Sequence, residues 1–262
     1  MRFLRPTGGN PALELWQLGV LTIMGVVSGW LNVMAGGGSL LTVPVMIFMG
    51  VPAPVANGTN RIGILTQNIA ALTNFRRKGL REWRLALSLS AVASVGAGAG
   101  AQLGVRFDGP WFNALLALVM LAVLVLMITG TGTRSTPDEA AIPRSRLVAG
   151  HILMLGAGFW GGLIQIGVGF ILIPILNRVL GMGLVRVNFY KVFIILVYTV
   201  VAMVVYATQV QILWIAGACL AAGSALGGWV GAHSTVRHGE RWIRPVLYTT
   251  LVAFIIKLVW PE

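Results

Sequence analysis

Apolar runs follow one another along this chain with only short polar loops between them, and no water-soluble fold can bury so many. Eight of them, at 15–34, 57–75, 85–105, 111–130, 147–164, 188–208, 212–233 and 242–260, come close to the roughly 20 residues an α-helix needs to cross a bilayer's hydrocarbon core. Two more, 40–50 and 170–180, have the length of re-entrant or interfacial helices. The runs are continuous instead of alternating, so an outer-membrane barrel is not implied. Only 10% of the residues are charged and 57% are hydrophobic, whereas a soluble domain carries about 25% charge. The chain reads as an all-α integral membrane protein whose surroundings are the lipid bilayer. Its first run lacks a small-residue cleavage site and reads as a retained helix, not a signal peptide.

The excess of 19 basic over 7 acidic residues, a net charge of +12, does not point to nucleic acid. The positive charge falls in short loops between apolar runs, which is the positive-inside pattern of membrane proteins. The one cysteine, Cys219, lies in an apolar run and implies no disulfide.

The two halves resemble each other. A displacement of 131 positions pairs Gly50 with Gly181, Asn57 with Asn188, Trp83 with Trp214, Gly96 with Gly227, Gly100 with Gly231, Arg106 with Arg237 and Trp111 with Trp242. Upstream, a displacement of 130 pairs Gly37 with Gly167 and Pro44 with Pro174. Basic loops alternate between the halves: "RRKGLREWR" corresponds to the uncharged "ATQVQ", and the balanced "VRFDGP" to the basic "VRHGERWIR". Inversion of one half relative to the other follows, with an odd number of crossings in each. The expected organisation is a first membrane repeat over 1–130, a cytoplasmic linker over 131–146 and a second repeat over 147–262. Each repeat has about five helical segments, and both termini are outside.

Each half interrupts an apolar run with glycine, as "AGGGS" (Gly36, Gly37, Gly38, Ser39) and as "QIGVG" (Gln165, Gly167, Gly169). Irregular backbone at membrane depth is tolerated where it is buried in protein or lines a cavity. After each break a short apolar helix starts, and a helix start offers unpaired N–H groups and roughly half a positive charge. Two starts converging at the midplane would cradle a small anion, with Ser39 capping the first or touching the ligand. The plainer alternative is close helix packing through small residues. Gly96, Gly98 and Gly100 read as packing glycines of that kind.

Polar residues inside the runs extend the candidate set. Arg61 and Lys191 sit near the starts of equivalent segments. They either snorkel to the interface or face an anion path, since no acidic residue in the neighbouring runs can pair with them. Asn57 and Asn188 are matched across the repeat, with Thr59, Asn60 and Tyr190 beside them; they cap helix starts or donate to oxyanion oxygens. Gln165 hydrogen-bonds between helices or contacts ligand, and Gln67 and Asn68 hold helices together. Trp83, Trp111, Trp214, Trp242 and Trp260 fall at segment ends as interfacial anchors.

Enzyme chemistry finds no support. His151, His233 and His238 show no metal-ligand spacing. All seven carboxylates (Glu14, Glu82, Asp108, Asp138, Glu139, Glu240, Glu262) lie in termini, loops or segment edges, where no acid–base pair forms. No cofactor is expected.

The stretch "AGGGSLLTVP", followed by "MGVPAPVANGTNRIG" at 49–63, resembles the signature of the sulfite exporter TauE/SafE family, and the duplication extends that resemblance over nearly the whole chain. In the second half Val168 interrupts the glycines and Gly183 stands where the first half has Pro52. The resemblance implies a transporter of small sulfur-containing anions such as sulfite, thiosulfate or organosulfonates. Lacking an intramembrane carboxylate relay, it is expected to export or facilitate, by alternating access around a midplane site. A carrier of another small anion or solute with proton coupling is the rival.

Overall fold

The computed structural model describes residues 13–34, 37–77, 83–128 and 142–234, with residue 252. Among them are nine α-helices: α1 (Leu15–Met34), α2 (Ser39–Phe48), α3 (Ala53–Arg77), α4 (Trp83–Gly104), α5 (Pro110–Ile128), α6 (Arg144–Leu163), α7 (Val168–Pro174), α8 (Leu184–Gln209) and α9 (Trp214–Ser234). No strand occurs among the described residues. Gly36, most of the expected linker and the expected last segment at 242–260 lie outside them. Among the described residues five helices are long and apolar enough to cross a membrane: Leu15–Val33, Trp83–Gly104, Arg144–Leu163, Leu184–Gln209 and Trp214–His233.

The short helices end and bend for local reasons. After α2, Gly50 adopts a left-handed φ of +84°. Its N–H donates to Ile47 O and that of Val51 to Met46 O, the paired bonds that close a helix on glycine. Gly181, its counterpart in the duplication, is also left-handed at +70°. Pro174 ends α7, and the next turn, Ile175–Val179, widens to a π-helix. A proline cannot donate to the ladder and crowds the preceding turn, which accounts for the local change of pitch.

Two helix pairs approach almost backbone to backbone. A Cβ on Gly96 or Gly100 would collide with the Leu155 or Phe159 carbonyl of α6, and one on Gly158 or Gly162 with the Ala93 or Ala97 carbonyl of α4. Across α1 and α9 the same holds for Gly223 against Thr22 and Gly227 against Val26. Gly98 differs from its neighbours: its nearest contact is Val201 at an ordinary 3.7 Å. Small residues thus let these pairs pack without intervening side chains. The first helix of each half lies on the fourth helix of the other.

Contact order along the chain fixes helix directions. α1 and α9 run parallel, as do α3 and α9, where Gly63 meets Leu220 and Gly228 meets Gln67. α4 runs parallel to α6, and also to α8, with Trp83 on Phe189 near one end and Gln102 bonded to Gln209 at the other. α3 and α8 are antiparallel, since Asn57 near the start of α3 bonds Tyr206 near the end of α8. The end of the bundle where α3 finishes and α4 and α6 begin carries exposed Arg76, Arg77, Arg84, Arg144 and Arg146. Leu180 packs on Gly150 of α6 and brings exposed Arg178 to the same end. The opposite end carries Glu14, Arg106 and Asp108.

Trp111 and Trp214 are mostly exposed at helix starts, as interfacial anchors should be. Trp83 is instead partly buried, its ring edge-on to Phe189 at 5.8 Å and Phe193 at 5.4 Å.

Candidate substrate site at two helix breaks

The two breaks meet. The Phe170 ring of α7 lies 3.1 Å from where a Cβ on Gly37 would stand. At the first break Leu40 N donates to Gly37 O and Leu41 N to Gly38 O, a tight first turn. Gly38 is the N-cap of α2, and no side chain caps that start. Ser39 is therefore the first helical residue, buried, and not the cap. Gly38 is pressed against Ser28 and Asn32 of α1 so closely that a Cβ there would overlap both side chains. Glycine is what lets α2 fold back along α1.

The second break is built differently. Gln165 and Gly167 both take left-handed backbone, at φ +63° and +70°. Gln165 does so despite its side chain, a conformation L-residues adopt at a cost. Ile166 N donates to Ile164 O, and Trp160 Nε1 donates to Ile166 O at 2.9 Å, tying the turn to the end of α6. Gly167 caps α7, again with no side-chain help, and Gly169 is buried in its first turn.

Arg61 and Lys191 do not snorkel. Both helices start four residues before the apolar runs; in α3, Pro54 fits a first turn whose N–H groups lack partners in any case. Arg61 is therefore the ninth residue of α3 and Lys191 the eighth of α8, and both are 0% exposed. Nor is the Arg61 charge without partners. One guanidinium nitrogen donates to Gly161 O (3.2 Å) and Gln165 Oε1 (3.1 Å), and the other to Gly162 O. Its carbon sits 4.3 Å from the Tyr206 ring centroid. Among the described residues its Nε has no partner. Lys191 Nζ donates to Val33 O at 2.9 Å, in the last turn of α1. Each cation thus reaches the carbonyl end of an interrupted helix, where about half a negative charge resides.

The asparagines are not caps either. Asn57 and Asn188 each occupy the fifth position of their helix and are buried. Asn57 Nδ2 donates to Leu163 O (2.9 Å) and to Tyr206 Oη (2.7 Å), while Tyr206 Oη donates to the same Leu163 O (2.9 Å). Leu163 O stands 130 positions beyond Val33 O, the same displacement that pairs Gly37 with Gly167 in the sequence. Asn60 Oδ1 accepts from Thr42 of α2 at 2.6 Å, and among the described residues its Nδ2 has no partner. Thr59 serves the scaffold: its Oγ1 accepts from Leu213 N ahead of α9. Tyr190 is buried edge-on to Phe189. Gln165 bonds both Arg61 and Tyr198 Oη (3.0 Å). Of the pair expected to hold helices together, Asn68 bonds back to Ile64 O of its own helix, and Gln67 Nε2 has no partner among the described residues.

Ser28, Asn32, Thr42, Tyr198 and Tyr206 join this region although the sequence alone does not single them out. Their signal was faint: isolated hydroxyls and amides within apolar runs, Tyr198 and Tyr206 being spaced to share a face of α8.

Comparison with known proteins decides the family. The family described as "Sulfite exporter TauE/SafE" matches residues 21–258. This chain belongs to that family. Relatives include a "Probable membrane transporter protein" of Haemophilus influenzae, 26% identical over 246 residues, covering 94% of this chain and 95% of the relative. "Probable membrane transporter protein ORF9" of a Sinorhizobium species is 24% identical over 251 residues, 94% of each chain. "Probable membrane transporter protein YfcA" of Escherichia coli K12 is 23% identical over 248 residues, 93% of this chain and 90% of the relative. No solved structure matches. As a TauE/SafE member the chain is a multi-pass membrane protein of a transporter family, consistent with its lack of enzyme motifs.

Proposed function

We propose that this protein carries small sulfur-containing anions, such as sulfite, thiosulfate or organosulfonates, across the cell membrane, as an exporter or facilitator. The observation that carries the reading is the meeting of the two breaks, Gly37 against Phe170, each opening a helix whose start has no side-chain cap among the described residues. Gly36 to Ser39 and Gln165 to Gly169 would supply backbone to the cargo, and Asn60 Nδ2 is a buried donor with no partner among the described residues. A buried donor without a partner costs about 1–3 kcal/mol, which an oxyanion would recover. A full guanidinium charge set against roughly half a charge at a helix end leaves net positive potential beside the breaks. Lys191 adds to that potential from the other half.

The halves are inverted in this reading, with the arginine-bearing end cytoplasmic by the positive-inside bias. Helix directions support it, since α1 and α3 run opposite to α6 and α8. The anion would bind between the breaks while the halves rock to expose it alternately. Its driving force is the membrane potential, about 2.3 kcal/mol per charge per 100 mV.

Purified protein in liposomes tests this. Labelled sulfite or a sulfonate should move faster when an imposed potential favours the anion's direction. Flux indifferent to potential and strictly dependent on a proton gradient would support the proton-coupled rival and refute the scheme.

A further inference from the structure

We propose that Arg61 and Lys191 are exchanged clamps: each half's cation holds the carbonyl end of the other half's interrupted helix, so neither break can open without the opposite half releasing it. Arg61 leaves α3 in the first half and gathers Gly161 O, Gly162 O and Gln165 Oε1 at the second break. Lys191 leaves α8 in the second half and holds Val33 O at the first. Both cations are fully buried, so water cannot take over these bonds while the break stays closed.

The terminal carbonyls of an interrupted helix need donors wherever water is excluded. A clamp supplied from the opposite half makes that satisfaction depend on how the halves sit together. The clamps are unequal. A guanidinium fork spanning three acceptors, two carbonyls in the last turn of α6 and the Gln165 amide oxygen, fixes the direction of the Gln165 side chain, which runs on to Tyr198. An ammonium is a point donor with no such fork. Arg61 is therefore a positioning residue for the second break, acting through α6 and Gln165.

The flux part of the test rests on the transport reading above; the exchange part does not. Amide hydrogen exchange would be followed by mass spectrometry on the full-length protein in lipid nanodiscs. In Arg61→Lys, which keeps charge but cannot span three acceptors, exchange at 163–170 should rise about tenfold, as expected for losing a charge-assisted hydrogen bond, while 31–33 and 40–41 stay unchanged. In Lys191→Met the pattern should cross over, with faster exchange at 31–33 and 40–41 and none added at 163–170; Lys191→Arg should restore protection. A rise confined to the substituted residue's own half, or spread evenly over both breaks, overturns the proposal. Should Arg61→Lys fail to fold, the Lys191 pair judges it alone.

In liposomes, Arg61→Lys should lower the maximal rate of sulfite flux about tenfold and move the half-saturating concentration by less than about threefold, the signature of lost positioning as opposed to lost binding. The reverse split would make Arg61 a direct anion ligand and overturn the clamp. Wild-type protein that moves no sulfur anion would refute the proposed cargo, and the crossed exchange pattern would still decide the clamps.

Discussion

Alanine at Gly100 and alanine at Gly98 should affect stability in opposite directions, though the sites are two residues apart on one helix. Both substitutions gain helix propensity, worth about 0.8–1.0 kcal/mol. At Gly98 the added methyl meets Val201 at ordinary contact distance, so most of that gain should survive. At Gly100 the same methyl would drive into the Phe159 carbonyl and the Leu163 amide, backbone atoms that cannot rotate away. α4 and α6 would have to separate, and a gap of about 0.5–1 Å already forfeits a quarter to a half of each contact's dispersion energy. Overpacking of this kind costs about 1–3 kcal/mol. The net expectation is a loss of up to about 2 kcal/mol at Gly100 against a gain approaching about 1 kcal/mol at Gly98. Reversible unfolding in mixed micelles, followed by tryptophan fluorescence, would measure both. Equal effects at the two positions would refute the backbone-to-backbone account of the α4–α6 interface.

Two further predictions concern the network and the orientation. Tyr206→Phe keeps the ring under Arg61 and removes one of two donors to Leu163 O, so it should cost about 0.6 kcal/mol, the average for interhelical bonds in membranes; Tyr206→Leu should cost a further 0.5–2 kcal/mol or so from the lost cation–π contact, and equal unfolding midpoints for the two would deny the ring a role. With Cys219 replaced by Ala, a cysteine in place of Arg77 should react with a membrane-impermeant maleimide only from the cytoplasmic side, and one in place of Asp108 only from outside; the opposite labelling would reverse the orientation proposed.

Much of the architecture could be read from the chain because hydrophobicity and glycine act locally. The run at 15–34 coincides with α1 (Leu15–Met34), and the other described helices fall where apolar runs predict them, within a few residues. Gly50 and Gly181, paired by the duplication, share a left-handed backbone, since a turn of this kind needs a residue without a Cβ. Where the structure departs from the sequence reading, one cause is shared. Apolar runs that begin at Asn57 and Asn188 leave out Pro54 and the turn after Gly183, so capping and snorkelling stand beside ligand contact as readings of Asn57, Asn188, Arg61 and Lys191, whereas the longer helices place all four in the interior.

Sequence by itself determined that the chain inhabits a bilayer, that its halves share residues at a fixed spacing and that each half interrupts an apolar run with glycine, because composition and spacing are properties of the string. What satisfies those breaks was decided only in three dimensions. Arg61 lies 100 positions from Gly161, and Lys191 lies 158 from Val33. A side chain and a carbonyl so far apart leave no periodic trace, since any donor of suitable length could serve. Only the packing of α3 against α8, and of both against the ends of α1 and α6, selects which cation closes which helix.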